Sequence, residues 1–184
     1  MKMIDRLRYM VSHNRIVTTM ILAIGFLMLA DPNAFSMGWG FPIILLGEII
    51  RISSSGFIHK DSSLAQEGPY SMSRNPLYLG NFFLGFGFVI MASKWYLIGI
   101  FLILFYFIYD ATIKEEEKKL LEQFGQSYED YVNRVPRFFP NITGFGSWNG
   151  RFSWGLVKKH REFNTCYGIL LGIGLIFLKM VLVS

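Results

Sequence analysis

Residues 77–109, LYLGNFFLGFGFVIMASKWYLIGIFLILFYFIY, run for 33 positions with Asn81, Ser93 and Lys94 as the strongly polar members. A single helix of that length would be about 50 Å long, against a bilayer hydrocarbon core of about 30 Å. A break at Ser93-Lys94 resolves the mismatch and predicts two antiparallel spans joined by a tight turn. The run therefore sets the fold class as an all-α, polytopic membrane helical bundle. Working outward, Phe35 to Ile52 reads as a further span, with Pro42 and Glu48 inside it. Tyr167 to Val183 reads as the last, interrupted by Lys179 near its end. Ile16 to Ala30 has only Thr18 and Thr19 polar and follows Lys2, Arg6, Arg8 and Arg15, a layout that mimics a signal peptide. Asp31-Pro32-Asn33-Ala34 makes a poor cleavage site, so this run is expected to be retained as the first of five spans. Several spans are short, which calls for extension into polar flanks or a locally thinned bilayer.

The charges orient the spans. Of the 18 Lys and Arg residues, all but Lys94 and Lys179 fall before the first span, between the second and third, or between the fourth and fifth. By the positive-inside rule these segments face the cytoplasm, with the N-terminus inside and the C-terminus outside. The net charge of +5 is thus read as topology, because the basic residues flank apolar runs instead of forming one nucleic-acid-binding stripe. The chain is 52% hydrophobic and 17% aromatic with mean hydropathy +0.37. A soluble domain of 184 residues leaves too much of its surface in water to hide that content. One integral membrane domain over 1–184 is expected. Cys166 is the single cysteine, which excludes an internal disulfide and a thiolate metal cluster. His13, His59 and His160 lack metal-ligand spacing, so no metal site is expected. Residues 141–150 read as a loop. Trp39, Trp95, Trp148 and Trp154 read as interfacial anchors.

Two cytoplasmic stretches carry more than connection. The first, from Glu67 to Gly80, combines a Gly68-Pro69 turn, Arg74, Asn75, Pro76 and Tyr78 at the start of a span. Pro76 suits the first helical turn, where its missing N–H is not needed, and Asn75 suits the cap before it. Arg74 at the boundary and Tyr78 one turn inside are not explained by helix initiation. The second stretch holds Glu115, Glu116, Glu117, Lys118, Lys119, Leu120, Leu121 and Phe124, then Gly125, Tyr128, Tyr131, Val135 and Pro136. The fourth span is expected to continue as a cytoplasmic helix ending at Gly125. Tyr128 and Tyr131, three apart, share one face of the next short helix. Without further information the glutamates also fit a solvated face paired with Lys118 and Lys119. Glu48, inside the second span, is expected to pair with Arg51 one turn on.

Together the two stretches resemble the isoprenylcysteine carboxyl methyltransferase and phospholipid methyltransferase superfamily, integral membrane enzymes that use S-adenosylmethionine. The family pattern runs G-x-Y, R-H-P-x-Y-x-G, E-E-x-x-L, F-G-x-x-Y-x-x-Y and V-P. Gly68, Tyr70, Arg74, Pro76, Tyr78 and Gly80 match its first half, and Glu116, Glu117, Leu120, Phe124, Gly125, Tyr128, Tyr131, Val135 and Pro136 its second. The likeness covers about 51–140 and leaves the C-terminal span at 167–183 without a motif. It implies a cofactor pocket lined by Ser62, Ser63, Leu64, Ala65, Tyr70, Asn75, Pro76, Leu77 and Tyr78, with Glu116 binding the cofactor and Glu117 supporting it. Arg74 is expected to be the catalytic residue, because its guanidinium suits bidentate pairing with the cofactor carboxylate or an anionic group of a lipidic acceptor. Methyl transfer is an in-line displacement, so these side chains have mainly a positioning task. Two positions depart from the pattern. Asn75 stands for the usual histidine and cannot take up a proton. Thr112 stands where the prenylcysteine enzymes carry a substrate-binding arginine, which leaves the methyl acceptor open among amine, alcohol and carboxylate lipids. Two other readings compete: an NADPH-dependent lipid or sterol-type reductase with a related membrane core, and a non-enzymatic membrane scaffold in which Glu48 and Asn81 mark a pathway. The reductases carry a histidine motif where Glu115 to Leu120 stands here.

Overall fold

The computed structural model describes residues 23–58, 63–141 and 152–183, all of it helix, turn or irregular chain. After a helical stretch at 23–29, the elements are α1 (Ala34–Ser55), a 3-10 turn (Gly68–Ser71), α2 (Pro76–Met91), α3 (Trp95–Phe124), α4 (Gln126–Arg134), α5 (Trp154–Lys159) and α6 (Glu162–Val183). α1, α3 and α6 are long and apolar enough to cross a membrane, and α2 is a shorter apolar helix. The expected count of five spans is therefore not reproduced as such. Most of Ile16–Ala30 lies outside the described residues, and α2, at 16 residues, rises only about 24 Å.

Local chemistry accounts for the helix limits. Asn33 and Ser36 form a reciprocal capping box at the start of α1, with Asn33 Oδ1 accepting from the Ser36 N–H at 2.9 Å. Pro76 is in the first turn of α2, as expected. Ser93 adopts φ 56°, which closes the α2–α3 hairpin at the anticipated break. α3 runs through the membrane and on to Phe124, where Gly125 at φ 51° ends it. α6 starts at Glu162, five residues before the span read from hydropathy, and so brings Glu162, Thr165 and Cys166 into the helix.

α1 and α2 pack closely along a glycine seam. A Cβ added at Gly40 would lie 2.6 Å from the Gly87 carbonyl oxygen, and one at Gly47 would lie 2.8 Å from that of Gly80. The two pairs are one heptad apart on each helix, so small residues let the backbones touch twice. Ile44, Leu84, Met91 and Ile176 fill the core beside this seam and tie in α6. The outward faces of α3 and α6 expose Ile103, Phe107, Leu170 and Leu182, as suits lipid contact.

The bundle has two polar ends. At one, Asp31 pairs with Lys94 at 2.8 Å, Asn33 Nδ2 donates to Ser93 Oγ at 3.0 Å, and Lys179 Nζ donates to the Leu27 carbonyl at 2.6 Å. The two basic residues that stand apart from the positive-inside segments are thus both neutralised or solvated by the protein here. The other end gathers the C-terminus of α1, the turn at 68–71, the start of α2, the second half of α3, α4, α5 and the start of α6.

Candidate functional site: a cavity between α2 and α3

At that second end lies a cavity of about 490 Å³. Its wall includes Ser63, Leu64, Ala65, Tyr70, Arg74, Asn75, Pro76, Leu77, Tyr78 and Glu116, ten of the residues singled out in the sequence. Ser62 lies outside the described residues. The 38 positions between Tyr78 and Glu116 are closed by a direct contact, the Tyr78 hydroxyl donating to Glu116 Oε2 at 2.8 Å. That contact follows from the hairpin: α2 enters the membrane with Tyr78 in its first turn, and α3 returns to the same level and passes beyond it. The Tyr78 ring meets Tyr109 edge-on at 5.3 Å, and Tyr109 stacks on Phe105 at 4.1 Å.

Glu117 faces away from the cavity and fixes its wall. Its Oε1 accepts from Arg74 Nη1 at 2.8 Å and its Oε2 from Arg137 Nε at 3.1 Å. Arg137 also pairs with Asp110 at 2.7 Å, and Lys114 pairs with the same Asp110. Three cations thus meet two carboxylates, with Arg137 bridging both, an arrangement that satisfies partly buried charge. The segment Val135–Asn141 binds the α2 approach by backbone: Arg74 N–H to the Pro136 carbonyl at 2.9 Å and Asn141 N–H to that of Met72 at 2.8 Å. Asn75 holds the N-cap position of α2 without a capping bond from its side chain. Its Nδ2 instead donates to the Arg137 carbonyl at 2.9 Å, which corrects the expectation that it caps the helix.

Thr112 is exposed and is not among the cavity-lining residues; its hydroxyl returns to the Ile108 carbonyl at 2.8 Å. Tyr128 and Tyr131 are buried with Val135 against Leu120 and Phe124, which packs α4 onto α3. The Tyr131 hydroxyl donates to the Tyr70 carbonyl at 2.7 Å and so positions the Gly68–Ser71 turn. Gly68, at φ +59°, lets that turn form against Phe57, where a Cβ would sit 2.7 Å from the ring. Three polar atoms of wall residues are buried with no hydrogen-bond partner among the described residues: Arg51 Nε, Tyr70 Oη and Arg74 Nε. Unpaired buried donors are costly, and at a cavity wall they are groups that a ligand can satisfy.

Burial, before any neighbouring charge, pushes the phenols of Tyr70 and Tyr131 well above the usual 10.0. Both remain neutral donors in the folded chain. Because the folded values lie above the unfolded one, the associated stability is intact below pH 10 and is lost as pH rises beyond it, by up to about 1.4 kcal/mol per unit for each phenol. The melting temperature is therefore expected to fall between pH 9.5 and 11, and to fall less steeply in Tyr131→Phe, as a pH series of thermal melts in detergent would measure.

The last span carries no family motif, and the sequence sets Glu48 one turn before Arg51 as its expected partner. In the structure that pair is at the limit of contact, 4.0 Å, and Arg51 is engaged elsewhere. Arg51 lines the cavity, donates to Asn81 Oδ1, and pairs with Glu162 of α6 at 2.8 Å, while Glu48 accepts from Cys166 at 2.8 Å. The readable signal was Glu162 itself, an acidic residue just before an apolar run; its partner lies 111 positions earlier.

A cavity at one end of the bundle, walled by an Arg-Asn-Pro helix start and a Tyr–Glu contact, sits among helices long and apolar enough to cross a membrane, as in an integral membrane protein. Residues 42–127, which hold most of that wall, match the phospholipid methyltransferase family. Over this segment the chain is similar to the isoprenylcysteine and phospholipid methyltransferase superfamily, which these matches support. It is 38% identical over 88 residues to a nickel-cobalt-cadmium resistance protein of Alcaligenes xylosoxydans xylosoxydans, covering 48% of this chain and 41% of that protein. It is 27% identical over 150 residues to a cobalt-zinc-cadmium resistance protein of Cupriavidus metallidurans, covering 76% and 66%. It is 33% identical over 118 residues to the protein-S-isoprenylcysteine O-methyltransferase of Xenopus laevis, covering 57% and 41%. In these matches the chain spans between 41% and 66% of the relative's length. No group of three or more His, Cys, Asp or Glu suited to hold a metal ion stands together among the described residues.

Proposed function

We propose that this protein is a membrane methyltransferase that binds S-adenosylmethionine in the α2–α3 cavity and methylates a lipidic acceptor at the cytoplasmic face. The observation that carries this reading is the convergence of Tyr78 and Glu116 at 2.8 Å on one cavity wall that also holds Arg74. The residues fit the cofactor. About 490 Å³ falls within the usual size of small-molecule pockets. The unpaired Tyr70 hydroxyl and Arg74 Nε are donors, and Glu116 is an acceptor of the same wall.

When bound, S-adenosylmethionine supplies a methyl group on a positively charged sulfur. Glu116 accepts hydrogen bonds from its ribose hydroxyls and favours its cationic centre by charge. Arg74 engages its carboxylate, or an anionic group of the acceptor, with the donor that Glu117 does not occupy. Ser63, Leu64, Ala65, Asn75, Pro76 and Leu77 shape the remaining wall. Thr112, outside that wall, leaves substrate contact to other residues. The aromatic layer of Tyr78, Tyr109 and Phe105 keeps water from the membrane side of the reacting atoms. The basic segments beside the cavity support its cytoplasmic orientation.

The test is methyl transfer from radiolabelled S-adenosylmethionine into a total membrane lipid extract by the purified protein. Label in the organic phase that depends on the protein, and that Glu116→Gln reduces by about tenfold or more, is the expected result. Equal label with and without protein would count against the reading.

A further inference from the structure

Polar side chains line the cavity in order of depth along α2. Arg74 and Asn75 precede the helix, Tyr78 lies in its first turn, and Asn81 lies about 4.5 Å further into the apolar bundle. At Asn81's level the wall is completed by Arg51, whose side chain crosses over Gly80; a Cβ there would come within 2.5 Å of Arg51 Cγ. This guanidinium is expensive to place beside a membrane interior, and its neutralisation comes from outside the family-matched segment. Glu162, 4% exposed at the start of α6, takes Arg51 Nη2 at 2.8 Å, with Thr165 Oγ1 at 3.4 Å. Arg51 Nη1 donates to Asn81. An arginine has no acceptor, so this bond fixes the Asn81 amide with its oxygen toward Arg51 and its two N–H donors turned the other way. One of those donors is shared with the Tyr109 side chain, which leaves the other for a ligand.

We propose that this deep end of the cavity is the acceptor subsite, that Asn81 donates a hydrogen bond there to an oxygen-bearing lipid headgroup, and that Glu162 of α6 is a positioning residue which holds Arg51, and through it Asn81, in place. The naming of this end as the acceptor's rests on the methyltransferase reading. A lipid enters from the membrane side, and the first polar groups it meets at the cavity are at this depth. An amide with only donors presented suits a carboxylate, hydroxyl or phosphate oxygen and opposes an ammonium, which brings further donors. The final helix, for which the family motifs give no role, thereby closes and tunes the pocket.

The test uses the full chain in nanodiscs, with dodecanoate, dodecanol and dodecylammonium as probes and S-adenosylmethionine as a separate ligand. The oxygen-headed probes are expected to raise the melting temperature by about 3 °C or more at saturation, and dodecylammonium to raise it far less. Asn81→Leu removes the shift and weakens S-adenosylmethionine binding far less than probe binding. Glu162→Ala weakens probe binding by about tenfold and Glu162→Asp restores most of it, a rescue that loss of folding would not give. Equal shifts from all three probes would overturn the proposal. So would unchanged probe binding in both Asn81→Leu and Glu162→Ala, or a loss of S-adenosylmethionine affinity in step with probe affinity. A wild type that takes the oxygen-headed probes but no S-adenosylmethionine would remove the methyltransferase reading instead, and with it the naming of this end as the acceptor's.

Discussion

Replacing Arg74 by alanine is expected to reduce methyl transfer by about a hundredfold or more, the largest functional effect of any single change at this cavity. Two losses combine. A ligand loses a charge-assisted hydrogen bond of about 1.5–3 kcal/mol. Glu117, only 21% exposed in its side chain, is left with Arg137 as its one cation, and breaking such a partly buried pair destabilises by about 3 kcal/mol. Arg74→Lys should recover stability better than transfer, because an ammonium makes a point contact where the guanidinium offers a planar fork of donors, one of them on Glu117. Thermal melts beside labelled transfer separate the two effects. A variant that melts like Arg74→Lys but transfers like wild type would remove Arg74 from the chemistry.

Gly47→Leu should cost more stability than any substitution at the site. A Cβ at Gly47 meets Leu84 N at 2.7 Å and the Gly80 carbonyl oxygen at 2.8 Å, both backbone atoms that cannot rotate away. Relief requires α1 and α2 to part, which breaks the seam at Gly40 and Gly87 and moves Arg51 off Asn81. Overpacking ordinarily costs about 1–3 kcal/mol, and with backbone on the far side the upper end or beyond is expected. Gly99→Leu is the control, since nothing lies within 4 Å of a Cβ there. The expected outcome is loss of a cooperative melt and of monodisperse protein for Gly47→Leu, with near-wild-type behaviour for Gly99→Leu.

Much of this was legible in one dimension because a bilayer imposes length. The apolar run from Leu77 forces a hairpin, a hairpin returns α3 to the level of Tyr78, and Glu116 follows as the residue beyond the membrane on that face. Asn75 misled because a capping rule is local, whereas its amide is used by the Arg137 carbonyl, 62 positions on. Thr112 shares a face of α3 with Glu116, one turn on, yet it is exposed and lies outside the cavity wall. Arg51 and Glu162 were out of reach because their pairing depends on α6 packing antiparallel to α1, and hydropathy alone does not assign helix neighbours. The seven-residue spacing of Gly40 with Gly47 and of Gly80 with Gly87 was present in the sequence, but its meaning appears only when the two pairs meet.

Equilibrium binding of radiolabelled S-adenosylmethionine to the purified wild type and to Glu116→Gln puts the shared cavity to its most direct trial. One saturable site per chain in the wild type, weakened by about tenfold or more in the variant, is the result predicted from the Tyr78–Glu116 wall. No saturable binding, or equal affinity in the two proteins, would contradict it.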